Sequence, residues 1–144
     1  MNREPIYAAL FELVQGISGI VTTGRNLKHW ADVPAFEQPA IFQRQVNEAA
    51  NSRTALPTSW VMNAEWYIYC NAEDDSSIAT STQLNAILDA VETALKQDIV
   101  TGYQTLGGLV FNCNIDGTVE IYEGLQGNQC MAVVPIKIEV INGG

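Results

Sequence analysis

The stretch WVMNAEWYIYC, residues 60–70, places Trp60, Met62, Ala64, Trp66, Ile68 and Cys70 on one side of an extended chain. Val61, Asn63, Glu65, Tyr67 and Tyr69 fall on the other. Period-two alternation of this length, rich in aromatic residues, specifies a strand. Its first face is apolar and must be covered by other elements. Its second face carries two tyrosines, so it is covered either by more of the same chain or by a partner, because Tyr and Trp are enriched at interfaces.

Two helices can supply cover. Ile6, Ala9, Leu10, Leu13 and Val14 recur at helical spacing, with Pro5 where a first turn tolerates it, which predicts an amphipathic helix over 4–15 ended by Gly16. A second stripe, Leu84, Ile87, Leu88, Val91 and Leu95, predicts another that stops near Asp98 or Ile99. Thr80-Ser81-Thr82-Gln83 before it has the form of a capping box, in which a hydroxyl and a glutamine satisfy orphan backbone donors. The preceding Glu73, Asp74, Asp75, Ser76 and Ser77 lack the alternating ligands and the turn glycine of a calcium loop and read as a wet turn near a positive helix end.

The rest reads as strand and turn. GIVTTGRNLKHWADVPAFEQP offers two short extended pieces broken by Gly24, Pro34 and Pro39. From Ala40 the alternation resumes, with Ala40, Phe42, Arg44 and Val46 opposed to Ile41, Gln43, Gln45 and Asn47, and Asn51 to Thr58 is expected to break it. LVFNCNI and TVEIYEGL flank Asp116-Gly117, a dipeptide typical of a tight hairpin. A Gly-rich link, EGLQGNQ, leads to CMAVVPIKIEVI, whose Pro135 places the strand at an edge, in a bulge, or where the missing N–H is not needed. Two helices and five to seven strands without βαβ alternation define an α+β class: an antiparallel or mixed sheet flanked by two main helices in a single domain spanning 1–144.

Composition narrows function. Sixteen Asp and Glu against seven Lys and Arg give a net charge of −9, the wrong sign for a protein that grips phosphate backbones. No run of 18 apolar residues is present, so no membrane span is expected, and Glu12 interrupts the first apolar stretch in a way a secretory signal does not tolerate. Cys70, Cys113 and Cys130 are odd in number and far apart, as expected of buried, reduced thiols made in a cytoplasm rather than of a disulfide framework or zinc site. Charged residues are 16% of the chain, which leaves much uncharged surface of the kind an oligomer uses.

Catalytic signatures are sparse. His29, the single histidine, lies in LKHWADV with Asp32 three residues on, and a small enzyme would have to use it; no G-x-S-x-G elbow supplies a nucleophile. Gly107-Gly108 and the Gly124/Gly127 pair form no phosphate-loop pattern. Glu65 with Glu73, and Glu120 with Glu123, read as solvated strand carboxylates rather than acid–base pairs. No catalytic, cofactor or metal residue is expected.

Across nearly its whole length the chain resembles the tail terminator, or tail completion, proteins of long-tailed bacteriophages. The likeness rests on the order REPIYAALFELV, PAIFQRQ after HWADVPAFEQ, WVMNAEWYIYC, TQLNAILDAVETAL and PIKIEVI, and most of all on VTTGRNLKHWADVPAFEQPAIFQRQ. It implies an α/β fold and a ring of identical subunits, usually a hexamer, that caps the head-proximal end of the tail tube, stops tube polymerisation and joins the tail to the head connector. The expected partners are the chain itself, the tail tube protein and the head–tail connector, with DNA passing through the lumen without specific binding and with no membrane. The expected place is the neck of the virion, after assembly in the host cytoplasm. The alternatives are a head-to-tail joining or other minor tail protein, and a small enzyme using His29. The family has no catalytic residues to transfer. On physical grounds the subunit contacts belong to strand edges and the aromatic face, with Tyr67 and Tyr69 as candidates. Arg53 and Leu56 are further candidates, in the polar segment NEAANSRTALPT, residues 47–58, which is expected to be a flexible loop able to reach the tube or a neighbour.

Overall fold

The periodic stretches become the spine of one mixed six-stranded sheet. The computed structural model describes residues 1–71, 79–126 and 129–141. Helix α1 spans Arg3–Gln15, β1 Thr22–Gly24, β2 Ala40–Arg53, β3 Leu56–Asn71, α2 Thr80–Ala94, β4 Asn112–Ile115, β5 Glu120–Gln126 and β6 Gln129–Ile141. The order across the sheet is β1-β2-β3-β6-β4, with β5 also paired to β6. Among the described residues the β1–β2 pair alone is parallel.

One face of β3 and β6 builds the main core. Met62, Ala64, Trp66 and Ile68 on β3 and Ala132, Val134, Ile136 and Ile138 on β6 meet Ile6, Tyr7, Leu10 and Val14 of α1 and Leu84, Ile87, Val91 and Leu95 of α2. Both helices therefore lie on the same side of the sheet, and the α+β class read from the sequence is the one observed. The opposite face has a smaller cluster of Val33, Ala40, Phe42 and Tyr69, with Trp30, Tyr67 and Met131 against it. Its cover is the chain's own segment 25–39, which holds two 3-10 turns, Trp30–Asp32 and Ala35–Glu37, rather than a second extended piece.

Several expectations need correction, the end of α2 among them, which falls at Ala94 rather than near Asp98 or Ile99. Residues 47–58 are not a flexible loop. β2 and β3 run through them as paired strands, 14 and 16 residues long, and turn only at Thr54-Ala55. Polar residues suffice there because the two strands satisfy each other's backbone groups without burying side chains. The Asp116-Gly117 pair is not a β4–β5 hairpin either. β4 pairs with Lys137 and its neighbours and β5 with residues 130–133, so the two lie in succession along the same edge of β6. Pro135 explains the interruption. Its carbonyl accepts the Asp116 N–H at 3.1 Å, so its ring nitrogen faces that same edge, where a continuous partner strand would find no donor. The chain steps round it through Gly117 at φ 118°, and the true hairpin joins β5 to β6. Of the placements expected for Pro135, the one in which its missing N–H is not needed is observed, on an internal strand.

The capping box needs correction too. The N-cap of α2 is Ala79, whose methyl side chain has no acceptor to offer. The carboxylate of Glu123 on β5 accepts the Ser81 N–H instead, at 3.1 Å. A strand thus delivers the negative charge that a helix start favours. The acidic run Glu73, Asp74, Asp75, Ser76 and Ser77 lies outside the described residues, as do Gly127 and the terminal Asn142-Gly143-Gly144.

Candidate assembly interface

The most distinctive surface is the arm formed by β2 and β3. The described part of β6 ends beside it at Ile141, opposite Ser59, so among the described residues Leu56 to Thr58 lie beside β2 alone. From Arg44 to Arg53 every β2 residue is exposed except half-buried Glu48. Arg53 and Leu56 form the closing pair of the arm, both exposed, around Ala55 at φ 62°. These two candidate contacts are thus brought together at one tip.

The arm is anchored at its root by polar contacts that reach into the core. The Trp66 indole donates to Gln43 Oε1 at 3.0 Å, and Gln43 Nε2 donates to the Tyr7 carbonyl at 3.0 Å. The Tyr7 hydroxyl donates to Glu48 Oε2 at 2.9 Å, and Arg3 Nε donates to Glu48 Oε1 at 2.6 Å. The Arg3 guanidinium also lies 5.0 Å from the centre of the Trp60 ring. Arg25 bridges Glu4 and Gln45 beside them. Burial, with Glu48 as acceptor, pushes the Tyr7 hydroxyl well above its usual pKa, so it stays a donor. The first turns of α1 therefore clamp β2 where it leaves the core. Sequence reading missed Arg3, Tyr7 and Glu48, whose spacing of 41 and 45 residues carries no local signal.

The aromatic pair separates. Tyr69 is only 2% exposed and its hydroxyl donates to the Lys28 carbonyl at 2.7 Å, so its face is covered by its own chain and Tyr69 is not an outward contact. Burial, followed by neighbouring Tyr67, raises its pKa to about 12. Tyr67 is half-buried at the margin of that cluster, its hydroxyl 3.4 Å from Glu65 Oε1. Glu65 also pairs with Arg44 at 2.7 Å.

A second exposed apolar group was not singled out from the sequence. Ile99 and Val100 are 99% and 93% exposed on a turn held by the Asp98 carboxylate, which accepts the N–H groups of Val100 and Thr101 at 2.8 and 3.0 Å. Those bonds, that from Thr101 foremost, hold the Asp98 carboxyl below its usual pKa. The Tyr103 and Phe111 rings meet at a tilt of 44° with centres 4.7 Å apart, and Leu109 is also exposed. The available signal was Asp98 at the point where the α2 stripe ends.

His29 is exposed, and its Nδ1 accepts the Ala31 N–H at 3.1 Å as the cap of a 3-10 turn. The three cysteines are buried thiols that form no disulfide, with Cys70 and Cys130 directly opposite each other on β3 and β6. Burial, with Cys130 adding to it at Cys70, raises the Cys70 and Cys113 thiols to about 12. Among the described residues no three His, Cys, Asp or Glu side chains converge as metal ligands, and no helix is long and apolar enough to cross a membrane. The hollows include one of about 490 Å³ between the ends of α1 and α2, lined by Leu13, Ile17, Ala90 and Ala94 among others, and polar surface depressions. Compared with known proteins, the chain matches no family model and no curated sequence.

Proposed function

We propose that the chain is a structural subunit of a phage tail, a terminator that forms a ring on the head-proximal end of the tail tube, stops its growth and joins it to the head connector. The observation that carries this reading is the anchored arm: its outer end, residues 51–57, is an exposed tip that closes at Arg53 and Leu56, and the strands that carry the tip are fixed to α1 and to Trp66. A rigid arm loses little conformational freedom when it docks, which favours binding to a repetitive surface such as a tube end. The resemblance read from the sequence favours a tail tube as that surface. A net charge of −9 suits a lumen through which DNA slides without sticking.

The test adds the purified chain to polymerising tail-tube subunits and measures tube length and end occupancy. The expected result is capped tubes of arrested length, with a ring-sized assembly at one end. Arg53→Asp combined with Leu56→Asp is expected to abolish capping while leaving the thermal transition within the small range of surface substitutions, about 0.5 kcal/mol. A persistent monomer that ignores tubes would overturn the proposal.

A further inference from the structure

The sheet ends in two unlike edges. On one side β1 covers only Ala40 to Phe42, so β2 from Gln43 onward has no strand beside it among the described residues. On the other side β5 has β6 as its one strand partner among the described residues. Such edges present unpaired backbone groups and are templates for another strand. β2 carries register shifts at Gln45/Asn47 and Asn51/Arg53, which bend the edge and restrict what can pair with it.

Charge divides the same way. Through Glu65 the chain has six acidic and five basic residues; after it, ten acidic and two basic. The β2 edge carries Arg44 and Arg53 and one carboxylate, Glu48, which Arg3 neutralises; Arg25 is bonded to Glu4 beside it and Arg44 to Glu65. β5 carries Glu120 and Glu123 and no cation, and Asp116 lies just before it. Arg44 and Glu120 lie on the same side of the sheet, away from the helices. Arg44 is in register with Glu65, and Glu120 with Val133, itself in register with Tyr67.

From these features we infer that the occupant of the β2 edge is the β5 edge of a second copy of this chain, with Arg44 of one copy on the same face as Glu120 of the next. Two β5 edges would oppose glutamates with no cation between them, whereas a β2 edge offers Arg44 to Glu120 on the same face. Unlike edges attract, and a joined pair of copies retains one free edge of each kind, β5 on one copy and β2 on the other. The contact is therefore heterologous, and it closes into a ring when its rotation allows. This inference rests on the ring reading above and names the surfaces that make the ring.

Charge exchange tests it. Arg44→Glu and Glu120→Lys are each prepared, and their mass is measured by light scattering alone, mixed in equal amounts, and on tail tubes. Each single variant is expected to fall to the 15.7 kDa monomer. The mixture is expected to recover the wild-type mass, because alternating chains restore an opposite pair at every contact. Arg44→Glu also faces Glu65, so Arg44→Glu with Glu65→Gln carries the same reversal with that local repulsion removed. If both single variants keep the wild-type oligomer, the edge pairing is overturned while the ring stands. Variants that keep the oligomer but no longer bind tubes would assign the edge to the tube protein and equally overturn the inference. A wild-type chain that stays monomeric both alone and on tubes would overturn the ring and the edge pairing together.

Discussion

Replacing Gln43 with leucine isolates the contact that ties the arm to the core. Gln43 and Trp66 are both buried, at 2% and 0% exposure, and the Gln43 amide is at once the acceptor for the indole N–H and a donor to the Tyr7 carbonyl. Leucine has similar bulk, so cavity formation contributes little. The substitution leaves the indole N–H without that acceptor, at about 1–3 kcal/mol. The Tyr7 carbonyl has two lone pairs and loses less. Burying leucine in place of an amide offsets part of this. The net expectation is a loss of about 2 kcal/mol, or about 4–8 °C in melting temperature for a chain near this length. Urea unfolding followed by tryptophan fluorescence and circular dichroism reads the midpoint, with an unchanged slope expected. Trp66→Phe in the same background removes the orphaned donor, so the double variant is expected to be more stable than the sum of the two single losses predicts. A Gln43→Leu chain within about 0.5 kcal/mol of wild type, or no coupling in the double variant, would refute the view that this amide anchors β2.

Leu10→Ala, at a fully buried α1 position facing the sheet, is expected to cost about 2–5 kcal/mol in the same assay. Glu123→Ala removes the carboxylate that accepts from Ser81 N–H and is expected to cost about 1 kcal/mol, with early fraying of α2 seen by hydrogen exchange. Folding raises the Cys70 and Cys113 pKa values to about 12, so the folded state holds these protons more tightly than the unfolded state. Their contribution is complete below the ordinary thiol range and is lost as pH rises towards 12, so stability is expected to fall with increasing pH above about 9. The same burial predicts that a thiol reagent at pH 8 labels none of the three cysteines until denaturant is added.

By itself the sequence determined the elements whose signal is local. The alternation at residues 60–70, the stripes of α1 and α2 and the even-numbered face of β6 each repeat within a few residues, and one face of each element has to leave water wherever it packs. The class of fold followed from them. Only the tertiary structure decided which strands pair. Residues 47–58 look like a loop because nothing in them needs burial, yet they are strands because β2 and β3 satisfy one another's backbone groups over their full length. Asp116-Gly117 looks like a hairpin because the dipeptide adopts tight turns readily, but Pro135, about 20 residues further on, sets where β4 stops and β5 begins. The α2 cap comes from Glu123 and the cover over Tyr69 from segment 25–39, both across long separations. Of the candidate contacts, Arg53 and Leu56 were legible as polar-segment residues, whereas the arm that holds them together was not. Strand pairing and long-range hydrogen bonds depend on partners far away in the chain, and no local pattern encodes them.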